Sequence, residues 1–206
     1  LCIDPKKIEK AITKKTKAIV LVYLYGHGCD IDKIQKIAKK YKLHLVEDCA
    51  EGMGTYCKNK HVGNFGDAST FSFFGNKTIT TGEGGMVCFK KKKYYEIAKK
   101  LRDHGMSPKK RYWHDYVGFN YRMTNIQAAV GFAQMERLEF FIKQKKIIAK
   151  KYRNCLNKNR QIFFSKNFPR TKSSYWLYYI KLKEKISRSR DAIINLLLKN
   201  GIEVRN

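Results

Sequence analysis

Nowhere in these 206 residues do about eighteen uncharged apolar residues run together, so no membrane-spanning helix is expected. The first residues show neither a signal peptide nor an initiating Met. Only three prolines occur, and there is no internal repeat and no low-complexity linker, which points to continuous compact structure rather than modules on tethers. Six cysteines (Cys2, Cys29, Cys49, Cys57, Cys88, Cys155) contain no C-x-x-C pair, and His27, His44, His61, His104 and His114 do not stand at zinc-ligand spacing. No metal site and no disulfide framework is expected, and the thiols read as reduced. Acidic residues are the scarcest group: 17 Asp and Glu face 44 Lys and Arg, a net charge of +27. That imbalance alone would suit a polyanion-binding protein. The lysines are spread along the chain, as in Lys90–Lys93 and across 142–151, and so describe a general solvated surface rather than one basic stripe. A soluble cytoplasmic protein is expected, with neither a membrane nor nucleic acid as partner.

What remains is ample material for a core, 43% hydrophobic and 13% aromatic. Asp4-Pro5 opens a short amphipathic helix to Ile12. Ala18 to Leu24 is an unbroken apolar run of the kind found in a buried strand. After Gly26-His27-Gly28, Asp30 can cap a helix whose Ile34, Ile37, Ala38 and Tyr41 share one face. Leu43 to Val46 is the next strand, completing a right-handed βαβ unit in a largely parallel sheet. Ligands of such sheets sit beyond the carboxyl ends of the strands, where Glu47 and Asp48 fall. Asp67 to Phe74 and Met86 to Phe89 are further strands around a glycine-rich loop. A helix is expected near Tyr94 to Asp103, one long helix from Asn125 to about Asn157, a strand at Ser174–Leu182, a helix at Ser189–Lys199 and the start of a strand at Gly201–Val204.

Covalent catalysis on a carbonyl requires an amine held at a fixed place, and pyridoxal chemistry adds a carboxylate for the ring nitrogen and donors for a phosphate. Asp48, the Ser72 hydroxyl and Lys77, which lies between Gly75 and Gly82, supply those three kinds of group. Spacing alone leaves plainer alternatives open: Asp48 as a cap, Ser72 as a strand residue, Asn120 as a turn former. His104 and His114 read as structural hydrogen-bond partners, and the Tyr112, Trp113, Tyr116, Phe119 strip as either packing or a substrate mouth.

The segments VEDCAEGMGT (46–55), FGDASTFSFFGNKTITTGEGGMV (65–87), RDHG (102–105) and GFNYRMTNIQAAVG (118–131), in that order, resemble the DegT/DnrJ/EryC1/StrS family of sugar aminotransferases. The resemblance implies a type I pyridoxal-phosphate-dependent α/β fold: a mainly parallel mixed sheet flanked by helices, plus part of a small C-terminal α/β domain. Residues 1–124 would belong to the large domain, 125–160 to a connecting helix and 161–206 to the start of the small one. It further implies pyridoxal 5'-phosphate as cofactor, carried covalently by Lys77, with Asp48 holding the ring nitrogen protonated, Glu51 near the ring hydroxyl and Ser72 at the phosphate. Asn120 would reach the phosphate of the neighbouring subunit in a homodimer with shared sites. Tyr23 stands where relatives often have His, and Gly28 where they often have Pro.

SFFGNKTITTGEGGM looks most like the branch that makes GDP-4-amino-4,6-dideoxymannose (GDP-perosamine) from GDP-4-keto-6-deoxymannose, with glutamate as amino donor. A dTDP-linked 4-keto-6-deoxyglucose is the alternative substrate, and a catalytically dead polyanion binder the alternative function. A related dehydratase branch has His at the lysine position, so Lys77 favours amino transfer. The family's N-terminal portion is not found here, and the chain reads as an incomplete polypeptide that alone binds cofactor poorly.

Overall fold

The structure, a computed structural model, describes residues 2–183 and 190–205. Two compact units are formed, one by 1–146 with 167–177, the other by 147–166 with 178–206. Residues 167–177, grouped by sequence with the small domain, thus pack with the first unit.

In the first unit Asp4 caps α1 (Pro5–Ala11) by accepting from Lys6 N, and Asp30 caps α2 (Ile31–Lys40) by accepting from Lys33 N. Between them runs β1 (Ala18–Val22), and α2 leads into β2 (His44–Asp48). β5 (Ala68–Ser72) and β6 (Gly85–Phe89) complete a sheet of order β1-β2-β5-β6. β1, β2 and β5 are parallel, and β6 returns antiparallel beside β5. The sheet is therefore mixed, as expected.

The core lies where α1 and α2 cover one face of this sheet: Ile8, Ile31, Ile34 and Ala38 from the helices meet Ile19, Leu21, Tyr23 and Leu45. Among the described residues the other face of β1 is uncovered. Its apolar run was expected to be buried throughout, yet Val20 is 58% and Val22 39% exposed while Leu21 is fully buried. Glu47 is also fully buried, as the penultimate residue of β2. Its Oε1 accepts from Tyr23 Oη (2.7 Å) and Gly63 N (2.8 Å), and its Oε2 from Phe65 N (2.7 Å) and Gly66 N (2.6 Å). A buried charge persists only with such partners.

A second sheet joins distant parts of the unit. β3 (Tyr56–Cys57) and β4 (Lys60–His61) form a hairpin through Lys58 and Asn59, and β8 (Thr171–Lys172) pairs with β3. α3 (Lys92–Leu101) follows β6. The single long helix expected from Asn125 is two: α4 (Asn125–Glu136), opened by a Thr124–Gln127 capping box, and α5 (Leu138–Leu156). At the break, Arg137 (φ −101°, ψ 5°) leaves helical geometry and its N–H bonds to Gln134 O and Met135 O.

In the second unit, β7 (Ile162–Phe164) pairs antiparallel with β9 (Ile180–Leu182), the rings of Tyr152 and Tyr178 stack at 5.1 Å, and α6 (Arg190–Lys199) follows. The expected strand at Ser174–Leu182 is present only in its last three residues. Tyr175 takes φ +51°, which breaks extension. Ser189, expected to start the last helix, lies outside the described residues. Gly201–Val204 forms no strand: Gly201 takes φ +75°, and Ile202 N bonds back to Leu197 O, closing the helix instead. No described helix is long and apolar enough to cross a membrane.

Candidate functional site

Parallel pairing aligns the carboxyl ends of three strands, with Val22 opposite Asp48 and Asp48 opposite Thr70. The turns that leave them, 23–28, 49–55 and 73–84, therefore emerge at one edge of the sheet. Asp48 closes β2 and is half-buried, and its Oδ1 accepts from Ala50 N at 3.0 Å, which shapes the turn toward Glu51. Glu51 Oε2 in turn accepts from Tyr25 N at 2.6 Å. Tyr25 sits at φ +54°, a left-handed conformation that costs a non-glycine residue energy, and the short bond to Glu51 helps hold it there.

On the β5 side, Ser72 ends the strand, half-buried, with its Oγ 3.4 Å from Phe74 N. The following loop is tied at its base by Phe73 N to Gly84 O and Thr81 N to Phe73 O, both 2.9 Å. Within it Thr78, Ile79 and Thr81 are buried. Gly84 adopts φ +154°, and a side chain there would run into Thr81 Oγ1, so the tight return into β6 requires glycine. Thr81 Oγ1 and Gln127 Nε2 both donate to Glu83 O, at 2.8 and 3.1 Å.

Lys77 lies in this loop, half-buried, with its N donating to Phe74 O at 3.0 Å. Its Nζ rests 4.2 Å from the centre of the Trp176 ring. Trp176 is 7% exposed, its indole N–H donates to Asn76 O at 2.9 Å, and the Tyr25 ring stands 6.4 Å from it. Lys145, from α5, donates to Trp176 O at 3.1 Å, and burial holds its amine below the usual lysine range. A primary amine, two carboxylates and a hydroxyl thus surround one end of the sheet, with aromatic rings beside the amine.

The sequence profile of the DegT/DnrJ/EryC1/StrS aminotransferase family matches residues 1–206. The chain belongs to that family. Its similarity to the GDP-perosamine synthase of Escherichia coli O157:H7 is 46% identity over 198 residues, 96% of this chain and 53% of that protein. Among solved structures, Helicobacter pylori PseC, an aminotransferase of pseudoaminic acid biosynthesis, superposes with a TM-score of 0.92 at 33% identity, covering 97% of this chain and 54% of that one. The E. coli GDP-4-keto-6-deoxy-D-mannose-3-dehydratase with bound hydrated PLP gives 0.91 at 27% identity, covering 100% and 57%. The chain spans about half the length of these relatives. The type I aminotransferase fold expected from the sequence is the fold of these neighbours.

Of the residues that the DegT/DnrJ/EryC1/StrS resemblance singles out, the structure links Lys77 and Glu51 through Trp176 and Tyr25, and sets Asp48 and Ser72 at the same sheet edge. Asn120 is elsewhere in the bonding pattern: it is exposed and forms an isolated antiparallel bridge with Asp103. His104 accepts through its carbonyl from His114 Nδ1 at 2.8 Å, a structural arrangement. Trp176, Tyr25 and Lys145 were not found from the sequence. Trp176 stands in an apolar run, SYWLYYIKL, that reads as strand core, and its contacts reach back across about half the chain.

Proposed function

We propose that the protein binds pyridoxal 5'-phosphate through Lys77 and transfers an amino group from glutamate to a nucleotide-linked 4-keto-6-deoxy sugar, best matched by GDP-4-keto-6-deoxymannose. The observation that carries this is the Lys77 loop leaving β5 at the edge where β1 and β2 also end, its amine against the Trp176 ring, with Asp48, Ser72 and the Glu51 turn at that same edge. These residues fit the cofactor: a half-buried amine, carboxylates at the strand end, a hydroxyl, and a loop kept open by glycine. When bound, the cofactor supplies an electron sink for charge developing on the substrate carbon.

Asp48 keeps a proton on the ring nitrogen, which strengthens that sink. Glu51, whose Oε2 holds Tyr25 N, would stand near the ring hydroxyl. Ser72 donates to the phosphate. Once free, the Lys77 amine would move a proton between the substrate carbon and the cofactor in each half-reaction, a role that needs a fixed amine within hydrogen-bond reach. Asn120, exposed on the Arg102–Asn120 turn system, reaches the phosphate held by a second copy in a homodimer. The similarity to the E. coli O157:H7 GDP-perosamine synthase supports a GDP-linked over a dTDP-linked sugar.

The test is amino transfer by the full-length protein from glutamate to GDP-4-keto-6-deoxymannose and, separately, to dTDP-4-keto-6-deoxyglucose, followed by mass spectrometry. Amino sugar from the GDP substrate is expected. Product from the dTDP substrate alone would move the assignment to that nucleotide. No product from either, with salt-dependent binding to RNA instead, would replace catalysis with polyanion binding.

A further inference from the structure

We propose that Trp176 is a positioning residue for Lys77, holding both ends of the lysine from a segment that arrives about one hundred residues later in the chain. One indole makes two attachments. Its face lies 4.2 Å from Nζ, well inside the range in which a ring attracts a cation. Its N–H donates at 2.9 Å to the carbonyl of Asn76, the residue immediately before Lys77. The tip of the side chain and the backbone at its base are thus tied to the same rigid ring. A free lysine loses rotamer entropy when it is ordered, and this restraint has already ordered it.

Trp176 is itself built in. Lys145 holds its carbonyl at 3.1 Å, and the ring is almost fully buried. The residues before it are latched to a single acceptor, the Gly26 carbonyl, by Ser173 Oγ (2.7 Å) and Ser174 N (3.1 Å). Thr55 Oγ1 lies 2.8 Å from the same carbonyl and 3.0 Å from Ser174 Oγ, and its one proton serves either. Gly26, at φ +76°, allows this approach, because a side chain there would strike Ser174 Oγ and come within 3.0 Å of Trp176 N. The latch binds segment 173–176 to the turn that carries Tyr25, whose ring faces Trp176. An amine so fixed returns to one place whenever it is free, which is what repeated proton transfer at a defined atom demands.

This inference rests on the proposed function for its catalytic consequence, but not for its test. The full-length protein is treated with hydroxylamine and dialysed to free every lysine of carbonyl cofactor, then briefly acetylated with acetic anhydride. Peptide mass spectrometry follows Lys77 against Lys90, an exposed lysine, and Lys145. In Trp176→Leu, Lys77 modification rises about five- to ten-fold relative to Lys90, the loss expected for a desolvated cation–ring contact. In Trp176→Phe, which keeps a ring face, it stays within about two-fold of the wild type, and Lys145 is unchanged in both. Wild-type labelling of Lys77 in the Leu variant, an equal rise in the Phe and Leu variants, or a joint rise of Lys77 and Lys145 would overturn the proposal, the last by making Trp176 a packing residue only. Labelling needs no cofactor. If pyridoxal phosphate fails to bind Lys77 while Trp176 still protects it, the function falls and the positioning role stands; cofactor binding without protection removes the positioning role alone.

Discussion

Replacing Glu47 with Gln changes one atom and leaves the shape of the core intact. The carboxylate accepts four hydrogen bonds, two on each oxygen, while fully buried. A glutamine must put its NH2 in place of one oxygen. At the Oε2 position it would face two backbone donors, Phe65 N and Gly66 N. At the Oε1 position it faces only Gly63 N, because the Tyr23 hydroxyl can turn and accept. The second orientation is therefore preferred, and the half-buried Gly63 N is left without an acceptor. A lost charge-assisted bond and an orphaned donor cost roughly 3 kcal/mol, partly offset by no longer burying a charge, for a net of about 2 to 3. Hydrogen exchange of the Gly63 amide in the full-length protein should accelerate about 30- to 160-fold, with Phe65 and Gly66 less affected. Tyr23→Phe removes one donor and should accelerate the same amides less. Burial, and then the charge of Glu47, push the Tyr23 phenol upward, so its hydroxyl keeps the proton it donates. Exchange at Gly63 within three-fold of the wild type in Glu47→Gln would refute this account of how the loop at 63–66 is held to the sheet.

Gly26→Ala should destabilise by about 2 to 4 kcal/mol, since it adds left-handed strain to a clash with Ser174 Oγ, and peptide-level exchange over 173–177 should rise selectively. His61 supplies a pH dependence. Its Nε2 accepts from Gly54 N at 2.9 Å and its Nδ1 donates to Val62 O at 2.6 Å, so the half-buried ring is neutral. Burial lowers its affinity for a proton, opposed by the Val62 carbonyl and the charge of Glu47. Because the folded value lies below the unfolded one, its contribution to stability is complete above about pH 6.5 and is lost as the pH falls through the folded value. Thermal unfolding midpoints should drop over that range in the wild type and less steeply in His61→Phe; parallel slopes would exclude this group. Thr124→Ala removes the half of the α4 capping box in which Thr124 Oγ1 accepts from Gln127 N, leaves the half in which Gln127 Oε1 accepts from Thr124 N, and should cost about 1 kcal/mol, read from the midpoint of chemical unfolding.

Local patterns carried most of what was readable in the sequence. α2 declares itself through Asp30 and its apolar face, and the Lys77 loop through glycines and threonines between two β-prone segments. The strand boundaries moved by a residue or two, enough to place Glu47 and Asp48 inside β2 rather than after it. That shift separates their roles, because alternation turns Glu47 into the core and leaves Asp48 half-buried at the edge. The break at Arg137 has no proline or glycine to announce it and arises from how the backbone closes α4. Trp176 was hidden for a different reason. Its neighbours in sequence suggest a strand, but its hydrogen bonds with Asn76 and Lys145, and that of the nearby Ser174 with Gly26, join three distant segments, and only tertiary structure brings these together.

The central claim is that Lys77 carries the cofactor. The full-length protein, mixed with pyridoxal phosphate, should give the visible absorption band of the lysine-bound form, and glutamate should shift it to the amine form of the cofactor. Lys77→Ala should give neither the band nor the shift. A band of wild-type position and intensity in Lys77→Ala, or no band in the wild type, would contradict the account.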